Sequence, residues 1–159
     1  MLFGDGAGAV VLEAVDDPSY QLTFDAGTDG SLASILRCTV GEYMYMSGQE
    51  VFRRAVRVSV DSVAAAIKEA GLSPDDIDLF VPHQANIRII EAVCQRVGLP
   101  IERTHVVLDK TGNTSSASIP IALADARSKG LLFPGQRILI SGFGAGMTWA
   151  STIFRWGRP

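Results

Sequence analysis

Cysteine is scarce in this chain, with only Cys38 and Cys94 among 159 residues. Two thiols build no disulfide framework, so a reducing compartment is the default and the cytoplasm the simplest location. A basic excess is missing as well. Fourteen Lys and Arg stand against seventeen Asp and Glu, a formal net charge of −3, which argues against a general nucleic-acid binder. No apolar run approaches the roughly 20 residues needed to cross a bilayer, and "MLFGDGAGAV" is broken by glycine too early for a signal-peptide core. Histidine is limited to His83 and His105. These two lack metal-ligand spacing and no Cys-x-x-Cys occurs, so no metal or other resident cofactor is expected. What is present is a globular composition, 47% hydrophobic and 19% charged. The length suits one domain that buries about two-thirds of its unfolded surface.

The order of patterns is informative. A glycine-rich turn predicts a strand from about Ala9 to Val15, and "YQLTFDAG" a second. Ser47 and Glu50 have capping-box spacing ahead of a long helix that Gly71 should stop. Residues 28–45 read as loop with room for a short strand. Beyond "SPDD", a simpler unit recurs. "IDLFV", "HVVLD" and "RILISGF" read as strands, and "NIRIIEAVCQRVG" and "SSASIPIALADARSKG" as helices closed by Gly98 and Gly130. "WASTIFRW" comes after "RILISGF" with so short a connection that the two should pair antiparallel. Strand–helix alternation predicts an α/β layered fold with a largely parallel sheet.

In such sheets ligands bind beyond the carboxyl ends of the strands. Three loops should meet there: "PHQAN", "KTGNTSS" and "GFGAG". They offer an imidazole at His83, an amide NH2 at Asn113, and backbone N–H groups exposed by Gly142, Gly144 and Gly146. Such donors suit negative charge developing on a carbonyl oxygen, where one of them contributes about 3–4 kcal/mol to the transition state. A nucleophile is missing. Cys94 sits among apolar helix residues and reads as core, Cys38 has no activating neighbour, and Ser115, Ser116 and Ser118 most simply cap or open a helix. His105 precedes its strand and so belongs to the opposite edge. "GDGAGA" and "GFGAG" fail as dinucleotide loops because each runs into a strand-like stretch.

The segments "LFGDGAGAVVLEA", "SGQEVFRRAV", "VPHQANIRIIEAV", "DKTGNTSSASIPIAL" and "GFGAGMTWAS" together resemble β-ketoacyl-acyl-carrier-protein synthase III, over its C-terminal half only. The resemblance implies a thiolase-like half over residues 1–159. This would be a mixed, mostly parallel five-stranded sheet with helices on both faces and an antiparallel last strand. It implies that His83 and Asn113 are the catalytic donors to a malonyl thioester carbonyl during decarboxylative condensation with an acyl-CoA primer. Phe143, Gly144 and Ala145 would form the active-site and oxyanion loop, with Ala145 where many members have glycine. Gly48, Phe52 and Asn86 would line the pantetheine tunnel. Arg53, Arg88 and Arg96 would dock acyl carrier protein, although a solvated helix face explains them equally simply. Coenzyme A and phosphopantetheine thioesters enter as substrates. The nucleophilic cysteine would lie in the N-terminal half, so the isolated chain is expected to be inactive and the intact enzyme a homodimer. Neither nucleic acid nor membrane is an expected partner. Two alternatives stay open: half of a polyketide-priming ketosynthase or acyltransferase, and a non-catalytic module that binds carrier protein or assembles with a partner.

Overall fold

The computed structural model describes residues Leu2–Gly157. Strand β1 (Thr23–Thr28) precedes a two-stranded ribbon of β2 (Leu36–Arg37) and β3 (Tyr45–Met46). Helix α1 (Gly48–Glu69) leads to β4 (Leu79–Pro82) and α2 (Ile87–Val97). The chain closes through the single turn α3 (Leu108–Thr111), α4 (Ser118–Ser128), β5 (Arg137–Gly144) and β6 (Thr148–Arg155). In α1 the buried residues Val51, Ala55, Val56, Ser59, Ser62, Val63, Ala66 and Ile67 recur every three or four positions. That stripe faces the sheet and offsets the low helix propensity of the valines. The expected capping box at its start does not form, for Ser47 makes no side-chain cap bond. Glu50 turns instead to Arg54 at 2.8 Å and to Arg53, the i+4 and i+3 partners beside it.

The main sheet runs β1-β6-β5-β4. β4 and β5 are parallel, while β6 is antiparallel to both of its neighbours, β5 and β1. β1, β5 and β4 therefore point the same way and β6 alone opposes them, as the mixed sheet with an antiparallel last strand requires. The fifth strand, expected at "HVVLD", is a correction. Only a parallel bridge from Thr104 to Phe80 and the bond from His105 N–H to the Phe80 carbonyl (2.8 Å) remain of it. The physical reason is local. β4 ends in Pro82, which has no N–H to offer, and the buried Gln84 side chain replaces the next rungs. Its Nε2 donates to the Pro82 and His105 carbonyls at 2.8 and 3.3 Å, and its Oε1 accepts from Val107 N–H at 3.0 Å. From Val107 the chain turns into α3.

The predicted strand at Ala9–Val15 is the second correction. It has no ladder, and Val10, Val11 and Leu12 are exposed to 58%, 88% and 80%. The glycines before it are committed to close packing instead. A Cβ on Gly4 would lie 2.0 Å from the Thr111 carbonyl oxygen, and one on Gly8 2.4 Å from Pro120. The glycine run is thus threaded against α3 and α4, and no strand among the described residues is placed to pair with residues 9–15.

Helices cover both faces of the sheet. α1 and α2 pack with Phe80, Leu139 and Ile153 on one side. Ala122, Leu123 and Ala126 of α4 pack with Leu79, Val81 and Ile138 on the other. Each fully buried large side chain of this kind contributes about 1.5–3 kcal/mol. α4 does not reach β1, whose Phe24 is 70% exposed. No helix among the described residues is long and apolar enough to cross a membrane.

Candidate active site

His83 comes directly after β4, all four residues of which are buried. Its backbone N–H donates to the Ser141 carbonyl of β5 at 2.7 Å, extending the parallel ladder by one bond beyond the strand. The imidazole is fixed from two sides. Nδ1 lies 2.6 Å from Ser118 Oγ at the start of α4, and the ring meets Phe143 edge-on at 5.5 Å and 73°. Burial pulls the imidazole below its ordinary pKa of 6.5, so the neutral ring is favoured. With Nδ1 engaged, Nε2 is the nitrogen left for a ligand.

Asn113 is set by a different device. α3 ends at Gly112, whose φ of 64° and ψ of −166° suit glycine. Leu2 and Gly4 then clamp the asparagine backbone: Asn113 N–H donates to the Leu2 carbonyl at 3.2 Å, and Gly4 N–H to the Asn113 carbonyl at 2.9 Å. Its side-chain Oδ1 accepts from Ser115 N–H at 2.9 Å. The acceptor end of the amide is therefore occupied, and the NH2 end is the one a ligand would meet.

The two side chains share one open cleft of about 1300 Å³. Phe143, Gly144 and Ala145 line it from the β5–β6 turn, Gly48, Phe52 and Arg53 from α1, and Asn86 and Arg88 from the start of α2. Of the donors and binding residues read from sequence, Arg96 and Gly146 do not line it; Arg96 stands on the last turn of α2. Asn86 caps α2, its Oδ1 accepting from Arg88 N–H at 2.9 Å. The Arg88 guanidinium lies 5.6 Å over the Phe52 ring, and Arg53 pairs with Glu50. The Arg54 hydrogen bond, with help from Arg53, holds the Glu50 carboxyl below its ordinary value.

Neither cysteine lines the cleft. Cys94 is buried with Sγ 3.3 Å from Thr104 Oγ1, and burial pushes its thiol up. Cys38 is exposed. His105 is buried and bonded through Nε2 to Asp125 at 2.7 Å, which ties the segment after α2 to α4. Among the described residues no group of three His, Cys, Asp or Glu side chains is placed to hold a metal ion. Sequence reading missed three supports: Gln84, the Leu2–Gly4 clamp and Ser118, whose side chain turns to His83 rather than capping its helix. A fourth, the pairing of Glu50 with Arg53 and Arg54, had a readable spacing. The others join residues far apart in the chain. The arrangement presents neutral hydrogen-bond donors to one volume, which suits an oxygen that gains negative charge during reaction.

A family model described as 3-oxoacyl-[acyl-carrier-protein (ACP)] synthase III C terminal matches residues 67–156. The beta-ketoacyl-[acyl-carrier-protein] synthase III of Roseiflexus sp. (strain RS-1) is 46% identical over 171 residues, covering 98% of this chain and 52% of that protein. Among solved structures, beta-ketoacyl-[acyl carrier protein] synthase III from Thermus thermophilus superposes with a TM-score of 0.84 at 44% identity, over 89% of this chain and 48% of that one. The priming beta-ketosynthase of the R1128 polyketide biosynthetic pathway reaches 0.81 at 33% identity, over 91% and 47%. The chain spans about half the length of the curated relatives it matches.

Proposed function

Because the chain belongs to the 3-oxoacyl-[acyl-carrier-protein] synthase III family and has its thiolase-like α/β fold, we propose that it supplies the donor half of a decarboxylating condensation site. In this reading Nε2 of His83 and Nδ2 of Asn113 donate to the carbonyl oxygen of a malonyl thioester. The bond from the malonyl carboxylate to C2 breaks, carbon dioxide leaves, and the electron pair passes into an enolate whose oxygen the two donors stabilise. The enolate carbon then attacks an acyl thioester on a cysteine, expelling the thiolate and forming the 3-oxoacyl product. That cysteine, charged beforehand from an acyl-CoA primer, belongs to the other half of the enzyme. The chain alone therefore carries no turnover.

The observation that supports this most directly is the pairing of His83 and Asn113 in one cleft, with the acceptor end of the Asn113 amide already engaged. The loop of Phe143, Gly144 and Ala145 supplies backbone N–H groups near the reacting acyl group. Gly48, Phe52 and Asn86 line the same cleft, and in this reading they border the path of a phosphopantetheine arm, with coenzyme A and phosphopantetheine thioesters as substrates and the cytoplasm as the setting. Arg88 and Arg53 at the mouth, with Arg96 further along α2, offer positive charge to an acidic carrier protein. The whole enzyme works as a homodimer in this reading. The test is malonyl-thioester decarboxylation by this chain joined to the cysteine-bearing half. His83→Ala and Asn113→Ala should each lower kcat by about 10²–10³-fold; an unchanged rate would overturn the assignment.

The likeness to the R1128 priming ketosynthase favours a second reading, in which the same half primes polyketide rather than fatty-acid synthesis. Products formed from mixed acyl-CoA primers by the joined protein separate the two.

A further inference from the structure

We propose that Ser118 is a positioning residue that locks His83 in the Nε2–H tautomer, so that a neutral donor faces the cleft before any substrate arrives. The inference rests on the reading of His83 as a donor and explains how that state is imposed. Ser118 is 1% exposed, and its Oγ has two hydrogen-bond partners: Nδ1 of His83 at 2.6 Å and the backbone N–H of Gln84 at 3.3 Å. The Gln84 N–H can only donate, and it fills a lone pair of the hydroxyl oxygen. Among the described residues Nδ1 is then the one acceptor within reach of the Ser118 hydroxyl proton.

Consider the other protonation states of His83. An Nδ1–H would place a second donor against Oγ and leave a buried hydroxyl proton with no acceptor, which native interiors avoid. The imidazolium carries the same Nδ1–H and meets the same obstacle. The geometry thus selects one of three states, and the low pKa that burial gives the ring agrees with it.

The direction of the Gln84 N–H is itself fixed. Its side chain is fully buried and bonded to the Pro82 and His105 carbonyls and to Val107 N–H. The tautomer is therefore specified by a relay running from the β4 end through Gln84 and Ser118 to the ring, with no charged group in it. A threonine at position 118 would preserve the relay, whereas alanine would remove it.

The experiment is long-range ¹H–¹⁵N correlation of the full chain labelled at its two histidines, at neutral pH, which reports protonation of each ring nitrogen without turnover. Wild type should show a bare Nδ1 and a protonated Nε2 at His83. Ser118→Ala should convert this to exchange between tautomers, and Ser118→Thr should restore it. The His105 signals, set by Asp125 on α4, show in the same spectrum whether the helix is still packed. A wild-type His83 protonated at Nδ1 would overturn the proposal, whether or not the alanine variant folds. So would a folded Ser118→Ala chain whose His83 keeps the pure Nε2–H form. In the protein joined to its other half, Ser118→Ala should lower kcat for decarboxylation by about tenfold with KM unchanged, as expected for a mis-set tautomer. A shifted tautomer with unchanged kcat would leave the relay standing and remove the donor role of His83.

Discussion

At His83 burial has a thermodynamic consequence that needs no substrate to observe. The folded imidazole binds a proton less readily than the unfolded one, whose pKa is near 6.5. The unfolded chain therefore takes up a proton first as the pH falls. The stability associated with a neutral His83 is fully present above about pH 6.5 and is lost as the pH drops through that value toward the folded pKa. The slope cannot exceed about 1.4 kcal/mol per pH unit for one proton. Urea unfolding between pH 7.5 and 5.5 should show this loss in wild type and less of it in His83→Gln. Equal slopes in the two proteins would show that the ring titrates freely. Asn113 is neutral and should leave no such signature, so the two donors are separable by pH.

At the scale of elements, two helix starts with polar N-cap residues differ in what holds them. Asn86 accepts from Arg88 N–H, whereas Ser47 has no side-chain cap bond although its spacing to Glu50 invited one. Asn86→Ala should cost about 1 kcal/mol of stability and Ser47→Ala less than about 0.5 kcal/mol, measured by chemical denaturation. A reversed order would mean that the caps are not where the hydrogen bonds place them. This contrast also marks what was legible in the sequence. Helical periodicity and the glycine stops at Gly71, Gly98 and Gly130 located α1, α2 and α4, because those signals are local. The loops after β4 and β5 were legible as a pair because parallel strands carry their carboxyl ends to one edge; the loop after α3 was grouped with them through a strand at "HVVLD" that does not form, and its backbone is held by Leu2 and Gly4. Strand identity at "HVVLD" and Ala9–Val15 was not legible, since a strand exists only through its neighbour. In the first case Gln84 took the neighbour's place, and in the second no partner strand adjoins it. Ser118 was read only as a residue that caps or opens a helix, and its place beside His83 escaped notice for a related reason: its partner lies 35 residues away.

At the scale of the whole molecule, several large apolar side chains are left outside. Val10, Val11 and Leu12 are exposed in a segment without a ladder, and Phe24 is exposed on the sheet face that α4 leaves uncovered. Exposed apolar surface of this kind promotes association. The chain should show concentration-dependent oligomers in sedimentation velocity, reduced by Val11→Lys with Phe24→Lys. A monodisperse monomer over a hundredfold range of concentration would contradict this. The sheet order has a consequence in time as well. Among the described residues β1 pairs only with β6, from Thr28 with Thr148 to Thr23 with Ile153. A ribosome adding about 5–20 residues per second finishes β1 and then works for roughly 6–24 s before β6 begins to emerge. Throughout that interval β1 is a finished strand with nothing to hydrogen-bond. A nascent chain arrested before residue 148 should therefore leave the β1 backbone amides unprotected in hydrogen exchange, and protection should come only once β6 has cleared the exit tunnel.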